Sequence, residues 1–156
     1  MAMLTEAAKN GDIDLVRSLI LLANTADVNE KEYRGYTSLM FAASNGHFDI
    51  CELLVTKGAV INTKTNDGNT ALMSGAYEGL REICKLLVNN GADINITDKY
   101  GDTALLVALF NGQVDICSYL CSIALYQVHI QKSLIYVNKI LMNQLQKTIR
   151  RVMQKL

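Results

Sequence analysis

The chain has 156 residues, half of them hydrophobic and 19% charged, so it is long enough for one domain with a sizeable core and is not disordered throughout. Fifteen basic residues balance fifteen acidic ones, and no global field draws the protein toward nucleic acid or a membrane surface. The balance hides an asymmetry: residues 1–115 hold all 15 acids and 9 bases, a net of −6, whereas residues 116–156 hold 6 bases and no acid.

The start of the chain, Met1-Ala2-Met3-Leu4-Thr5-Glu6, has neither the basic region nor the apolar run of a secretory leader. The most apolar stretch, residues 116–130, carries Gln127 and His129 and falls short of the roughly 20 apolar residues a spanning helix needs. Four cysteines without a leader point to reduced thiols and a cytoplasmic location, with the nucleus or a host cytosol left open.

From Arg34 onward the sequence is periodic. Gly35, Gly68 and Gly101 are 33 residues apart, as are Gly46, Gly79 and Gly112, Thr37, Thr70 and Thr103, and Cys51, Cys84 and Cys117. Within Arg34–Asn66, Gly35 opens a turn and Thr37 stands at the N-cap of a short helix over Ser38–Asn45, where its hydroxyl accepts from a first-turn N–H. Gly46 suits the left-handed conformation that ends such a helix. A second helix, roughly Phe48–Lys57, lines Ile50, Cys51, Leu53 and Leu54 along one apolar stripe before Gly58 stops it. Asp67–Lys99 repeats the pattern with Thr70, Leu72, Gly79, Ile83, Leu86, Leu87 and Gly91. From Tyr100 a further unit keeps Thr103, Gly112 and Cys117, then loses register, with Ala124 where Gly91 leads one to expect glycine. Two short helices cannot bury their apolar sides alone, so successive units must stack.

These residues resemble the ankyrin repeat family. Thr37-Ser38-Leu39-Met40-Phe41-Ala42-Ala43, Gly46-His47, Leu53-Leu54 and Gly91-Ala92-Asp93-Ile94-Asn95 match its helix start, inter-helix G-H and pre-finger motif. The opening segment Leu4–Asn29, with Gly11-Asp12 and Ala26-Asp27-Val28-Asn29, resembles a capping first unit with a two-residue insertion around Ala23–Thr25. The resemblance implies an all-α, helix-turn-helix solenoid of about four repeats over residues 3–122, in units of about 3–33, 34–66, 67–99 and 100–122. A basic amphipathic segment, 123–156, follows. Proline after the capping threonine is replaced by Ser38, Ala71 and Ala104, and the next histidine by Met40, Met73 and Leu106, so the family's Thr–His hydrogen bond is absent. Gly75 takes the place of a helical alanine at a cost of about 1 kcal/mol.

The candidate chemistry is sparse. Cys51, Cys84 and Cys117 recur on successive second helices roughly 8–10 Å apart, beyond the roughly 4.4–6.8 Å a disulfide needs, so buried reduced thiols are expected. Cys117 and Cys121 share a helical face without a second ligand pair, which argues against zinc. His47 sits at the G-H position and reads as structural; His129 lies 82 residues away. No Ser/His/Asp order or phosphate loop is visible. The expectation is no enzyme activity, no cofactor, no metal and no small-molecule substrate.

Family resemblance also implies a working face, since partners of such stacks contact the finger turns and the exposed ends of the first helices. By position these are Tyr33, Arg34, Tyr36, Ser44 and Asn45, then Asn66, Asp67, Asn69, Tyr77 and Glu78, then Lys99, Tyr100, Asp102, Phe110 and Asn111. Five of the ten aromatic residues fall in this set, and tyrosine and arginine are enriched at interface hot spots. The competing role for a finger tyrosine is packing on the neighbouring finger. The expected function is recognition of another protein through this concave face, the partner's identity being open.

The C-terminal stretch 131–156 contains no glycine, and Leu134, Val137, Leu141, Leu145, Ile149, Val152 and Leu156 recur at helical spacing beside Lys139, Lys147, Arg150, Arg151 and Lys155. Three roles fit this amphipathic helix: a cap on the fourth unit, a binding element for an anionic membrane or a partner groove, and a non-native extension. The second of these makes the alternative function an adaptor that works through its tail.

Overall fold

The computed structural model describes residues 3–22 and 27–128. The proposed insertion around Ala23–Thr25, His129 and the amphipathic stretch 131–156 lie outside the described residues. The chain divides into two compact units between Leu120 and Cys121, and residues 121–128 of the second are helical.

The first unit is built from helix pairs, with no strand among the described residues. Its helices are α1 (Met3–Asn10), α2 (Ile13–Leu22), α3 (Ser38–Ser44), α4 (Phe48–Thr56), α5 (Ala71–Tyr77), α6 (Arg81–Asn89) and α7 (Ala104–Phe110), followed by helical residues 114–120. The expected threonine caps are in place: Thr37, Thr70 and Thr103 each accept through the side chain from the backbone N–H of Met40, Met73 and Leu106. That hydroxyl satisfies one of the first-turn donors that no intrahelical carbonyl can reach.

The helices form two rows. α1, α3, α5 and α7 pack successively on one another, α2, α4 and α6 form the outer row, and α1, α3 and α5 each pack on the second helix that follows. The core between the rows repeats with the sequence. Leu39 and Leu72, Met40 and Met73, Ile50, Ile83 and Ile116, and Leu54, Leu87 and Leu120 are all buried.

The thiols divide. Cys51 and Cys84 are buried, and burial pushes both up to about 12. Cys117 is only half-buried and Cys121 is exposed, which corrects the expectation of uniformly buried cysteines. Cys117 sits on the last helix of the unit, and burial at that position depends on the helices stacked beside it.

Side chains also tie each helix pair to the one before it. The His47 ring lies on Gly11, where a Cβ would come within 2.6 Å of its Cε1, and His47 Nε2 is 3.0 Å from the Lys9 carbonyl. Gln113 takes the same position two units later, resting on Gly79 and donating to the Tyr77 carbonyl at 3.1 Å. Both glycines have positive φ, so only glycine combines the backbone turn with the close approach of the next unit. Asn62 makes a bridge of its own: Nδ2 donates to the Gly91 carbonyl and Oδ1 accepts from the Asp93 N–H, each at 2.9 Å. Asn29 does the same toward Gly58 and Val60. These bonds join successive units at matching repeat positions.

Candidate functional site

The segments between helix pairs fold into narrow fingers. In each, a backbone bond closes the turn: Glu32 N–H to Tyr36 O at 2.8 Å, Thr65 N–H to Asn69 O at 2.9 Å, and Asp98 N–H to Asp102 O at 3.0 Å. Neighbouring fingers are joined, Asn66 N–H donating to Arg34 O at 2.9 Å and Lys99 N–H to Asp67 O at 2.8 Å. Short polar side chains stiffen the turns. Thr65 Oγ1 accepts from Asn69 N–H at 3.0 Å, and Asp98 Oδ1 accepts from Tyr100 N–H at 2.8 Å and Asp102 N–H at 2.9 Å. Arg34 stands at φ 71, the one non-glycine residue with positive φ among those described, in the turn that Asp67 and Tyr100 occupy in later units.

Between the fingers and the first helices runs a groove of about 470 Å³. Nine of the residues assigned from sequence line it: Tyr36, Ser44, Asn69, Tyr77, Glu78, Tyr100, Asp102, Phe110 and Asn111. They come from stretches of sequence that the repeat brings side by side. Tyr77, Tyr100 and Phe110 remain 54%, 78% and 71% exposed, so their aromatic faces are presented to solvent. Tyr36 is half-buried and stacks on Phe41 with ring centroids 5.3 Å apart, which makes it part wall and part packing.

The other six assigned residues do not line the groove. Tyr33, 90% exposed, carries the Arg34 guanidinium 5.9 Å from its ring centre. Asn45 turns back on its own helix, its Nδ2 donating to Phe41 O at 2.9 Å. Asn66 contributes its backbone to the finger ladder. Asp67 and Lys99 form a 2.8 Å ion pair between fingers, and the same ammonium stands 5.0 Å from the Tyr100 ring centre. The hydrogen bond and charge of Lys99 hold the Asp67 carboxyl below the usual range, and the bond to Asp67, with a further one to Tyr100, holds Lys99 above its own.

Met73, Ser74, Asp98 and Val107 also line the groove and were not assigned from sequence. The signal was present in part: Met73 and Ser74 precede Tyr77 by four and three residues, and Val107 precedes Phe110 by three, the spacings that share a helical face. The lining offers aromatic faces, an apolar floor, hydroxyls, amides and carboxylates, a set suited to holding another chain. Among the described residues no group of three or more His, Cys, Asp or Glu gathers to hold a metal, and no helix is long and apolar enough to cross a membrane.

Comparison with known proteins places the repeats in a family. A family profile for ankyrin repeats (3 copies) matches residues 4–98, and one for ankyrin repeats (many copies) matches residues 81–120. Among curated proteins the chain is similar to human ankyrin repeat domain-containing protein 39, with 42% identity over 53 residues, 34% of this chain and 28% of that protein. It is also similar to dauer abnormal formation protein 25 of Caenorhabditis elegans, with 45% identity over 60 residues, 38% of this chain and 15% of that protein. The matched region thus spans less than a third of either relative.

Proposed function

Because the chain belongs to the ankyrin repeat family, we propose that it recognises a partner protein through the groove between its fingers and first helices. Ankyrin repeats are generally protein–protein interaction modules, and the family is a non-catalytic interaction fold. The observation that carries the reading is the convergence of Tyr77, Tyr100 and Phe110, exposed and from two different units, on one groove. Cross-bonded fingers and capped helices hold these rings before any partner arrives, so little ordering entropy is lost on binding. The working division is a repeat body over residues 3–122 and a separate basic segment over 123–156. A reducing, cytoplasmic location accords with two thiols kept in the core.

The test is affinity capture from the source cell's lysate with the full chain, a Tyr77, Tyr100, Phe110→Ala variant and a 1–130 truncation. Tyr36 is kept because it stacks on Phe41. A partner lost with the aromatic variant and retained by the truncation supports the groove. A partner lost only with the truncation refutes it and leaves the tail as the binding element.

A further inference from the structure

Resting on that reading of the groove, we infer that its occupant is a basic peptide segment of the partner, one that lays a lysine or arginine side chain across the Tyr77 ring. The lining explains why. Glu78, Asp98 and Asp102 supply three carboxylates, and among the described residues no lysine or arginine lines the groove, the Lys99 ammonium beside it being paired with Asp67. Asp98 Oδ1 is committed to its own finger turn, while Glu78 is exposed on the C-cap of α5 and Asp102 is half-buried at the base of the next finger. An acidic segment would meet like charge here and a neutral one would leave these carboxylates unpaired, whereas a cation is complementary.

The rings give the second half of the argument. An aromatic face attracts a cation that stands over it, and the aliphatic stem of lysine or arginine covers apolar ring surface at the same time. The fingers already use this contact internally, with Arg34 over Tyr33 and Lys99 over Tyr100. Among the described residues no such cation stands over Tyr77, and Met73, Val107 and Phe110 line the groove with it as a floor for an aliphatic stem. Residues 1–115, which supply the groove, carry a net charge of −6 of the same sign, the balancing six bases lying in residues 116–156.

The experiment is selection of random twelve-residue peptides displayed on phage against the immobilised full chain, followed by anisotropy with the best labelled peptide. The expected result is enrichment of Lys and Arg over Asp and Glu. The selected peptide then weakens roughly five- to tenfold with Glu78→Gln/Asp102→Asn and weakens further as salt rises past about 0.15 M. Asp49→Asn/Glu52→Gln on α4 removes the same charge away from the groove and should change affinity less than twofold. Equal loss with both pairs means that the general acidic field, and not the groove, holds the peptide, and overturns the inference. Peptides without basic excess that are still lost with Tyr77→Ala/Tyr100→Ala also overturn it, while leaving the groove as the docking site. Peptides insensitive to the tyrosines refute the groove itself.

Discussion

Gly75 lies in the middle of α5, at a residue where its neighbours in the other units have alanine, and Gly75→Ala tests how the repeat core is packed. Glycine in a helix interior is less favourable than alanine by about 0.8–1.0 kcal/mol, and one buried methyl adds about 0.8 kcal/mol. Against this stands crowding: a Cβ at Gly75 would lie 3.3 Å from Cys84 Sγ and 3.5 Å from Ile83 Cγ2. The first distance is a few tenths of an ångström too short, so one neighbour must move. The repeat supplies the answer, because 33 residues earlier the same two positions hold Ala42 and Cys51, both fully buried. A unit of this geometry therefore accommodates alanine and cysteine together, and the crowding offsets only part of the gain. The expected net stabilisation is about 1 kcal/mol. With a urea slope of about 2 kcal/mol per molar, the midpoint followed by circular dichroism should rise by about 0.5 M. Ala42→Gly should lower it by a similar amount. A midpoint that falls for Gly75→Ala would show that Cys84 and Ile83 cannot yield, and that equivalent positions in this array are not packed equivalently.

Thr70→Ala removes the acceptor of the Met73 N–H, 3.3 Å from Thr70 Oγ1, and should cost about 1 kcal/mol, while Thr70→Ser keeps most of it; equal urea midpoints for the two variants would refute the cap. Asn62→Ala breaks both bonds of its bridge and should cost about 1 kcal/mol, whereas Asn95→Ala, at the repeat position that makes no such bridge among the described residues, should cost less than about 0.5 kcal/mol. Cys51 and Cys84 keep their protons to about 12 when folded, against an ordinary 9.0, so above that ordinary value the unfolded chain binds fewer protons than the folded one. Their contribution is fully present below the ordinary value and is lost as pH rises toward 12; urea midpoints between about pH 8 and pH 10.5 should fall, and fall less for Cys51→Ala/Cys84→Ala. In the native protein, iodoacetamide should label Cys121 readily and reach Cys51 and Cys84 only on unfolding; rapid labelling of the buried pair would contradict their place in the core.

The helix pairs, their caps and their stacking were legible in the sequence because those signals are local. A threonine hydroxyl reaches an N–H three residues on, and an apolar stripe closes within one helical turn. The 33-residue period then multiplies each local signal, so Thr37, Thr70 and Thr103 could be assigned together. The groove was partly legible for the same reason: position in the repeat put Tyr77, Tyr100 and Phe110 near one another, and they line it together. What tertiary structure alone decided depends on groups some thirty residues apart. The Asp67–Lys99 pair crosses two fingers, and Asn62 reaches across to Gly91. Burial follows the same rule. Ala43 and Ala76 are fully buried in the row of first helices, while Leu109 at the matching position of α7 is 59% exposed, and Cys117 is less buried than Cys51 and Cys84. A residue's own chemistry sets its cap or its helical face, but its burial is set by whatever is stacked beside it, and that is a property of the assembled array.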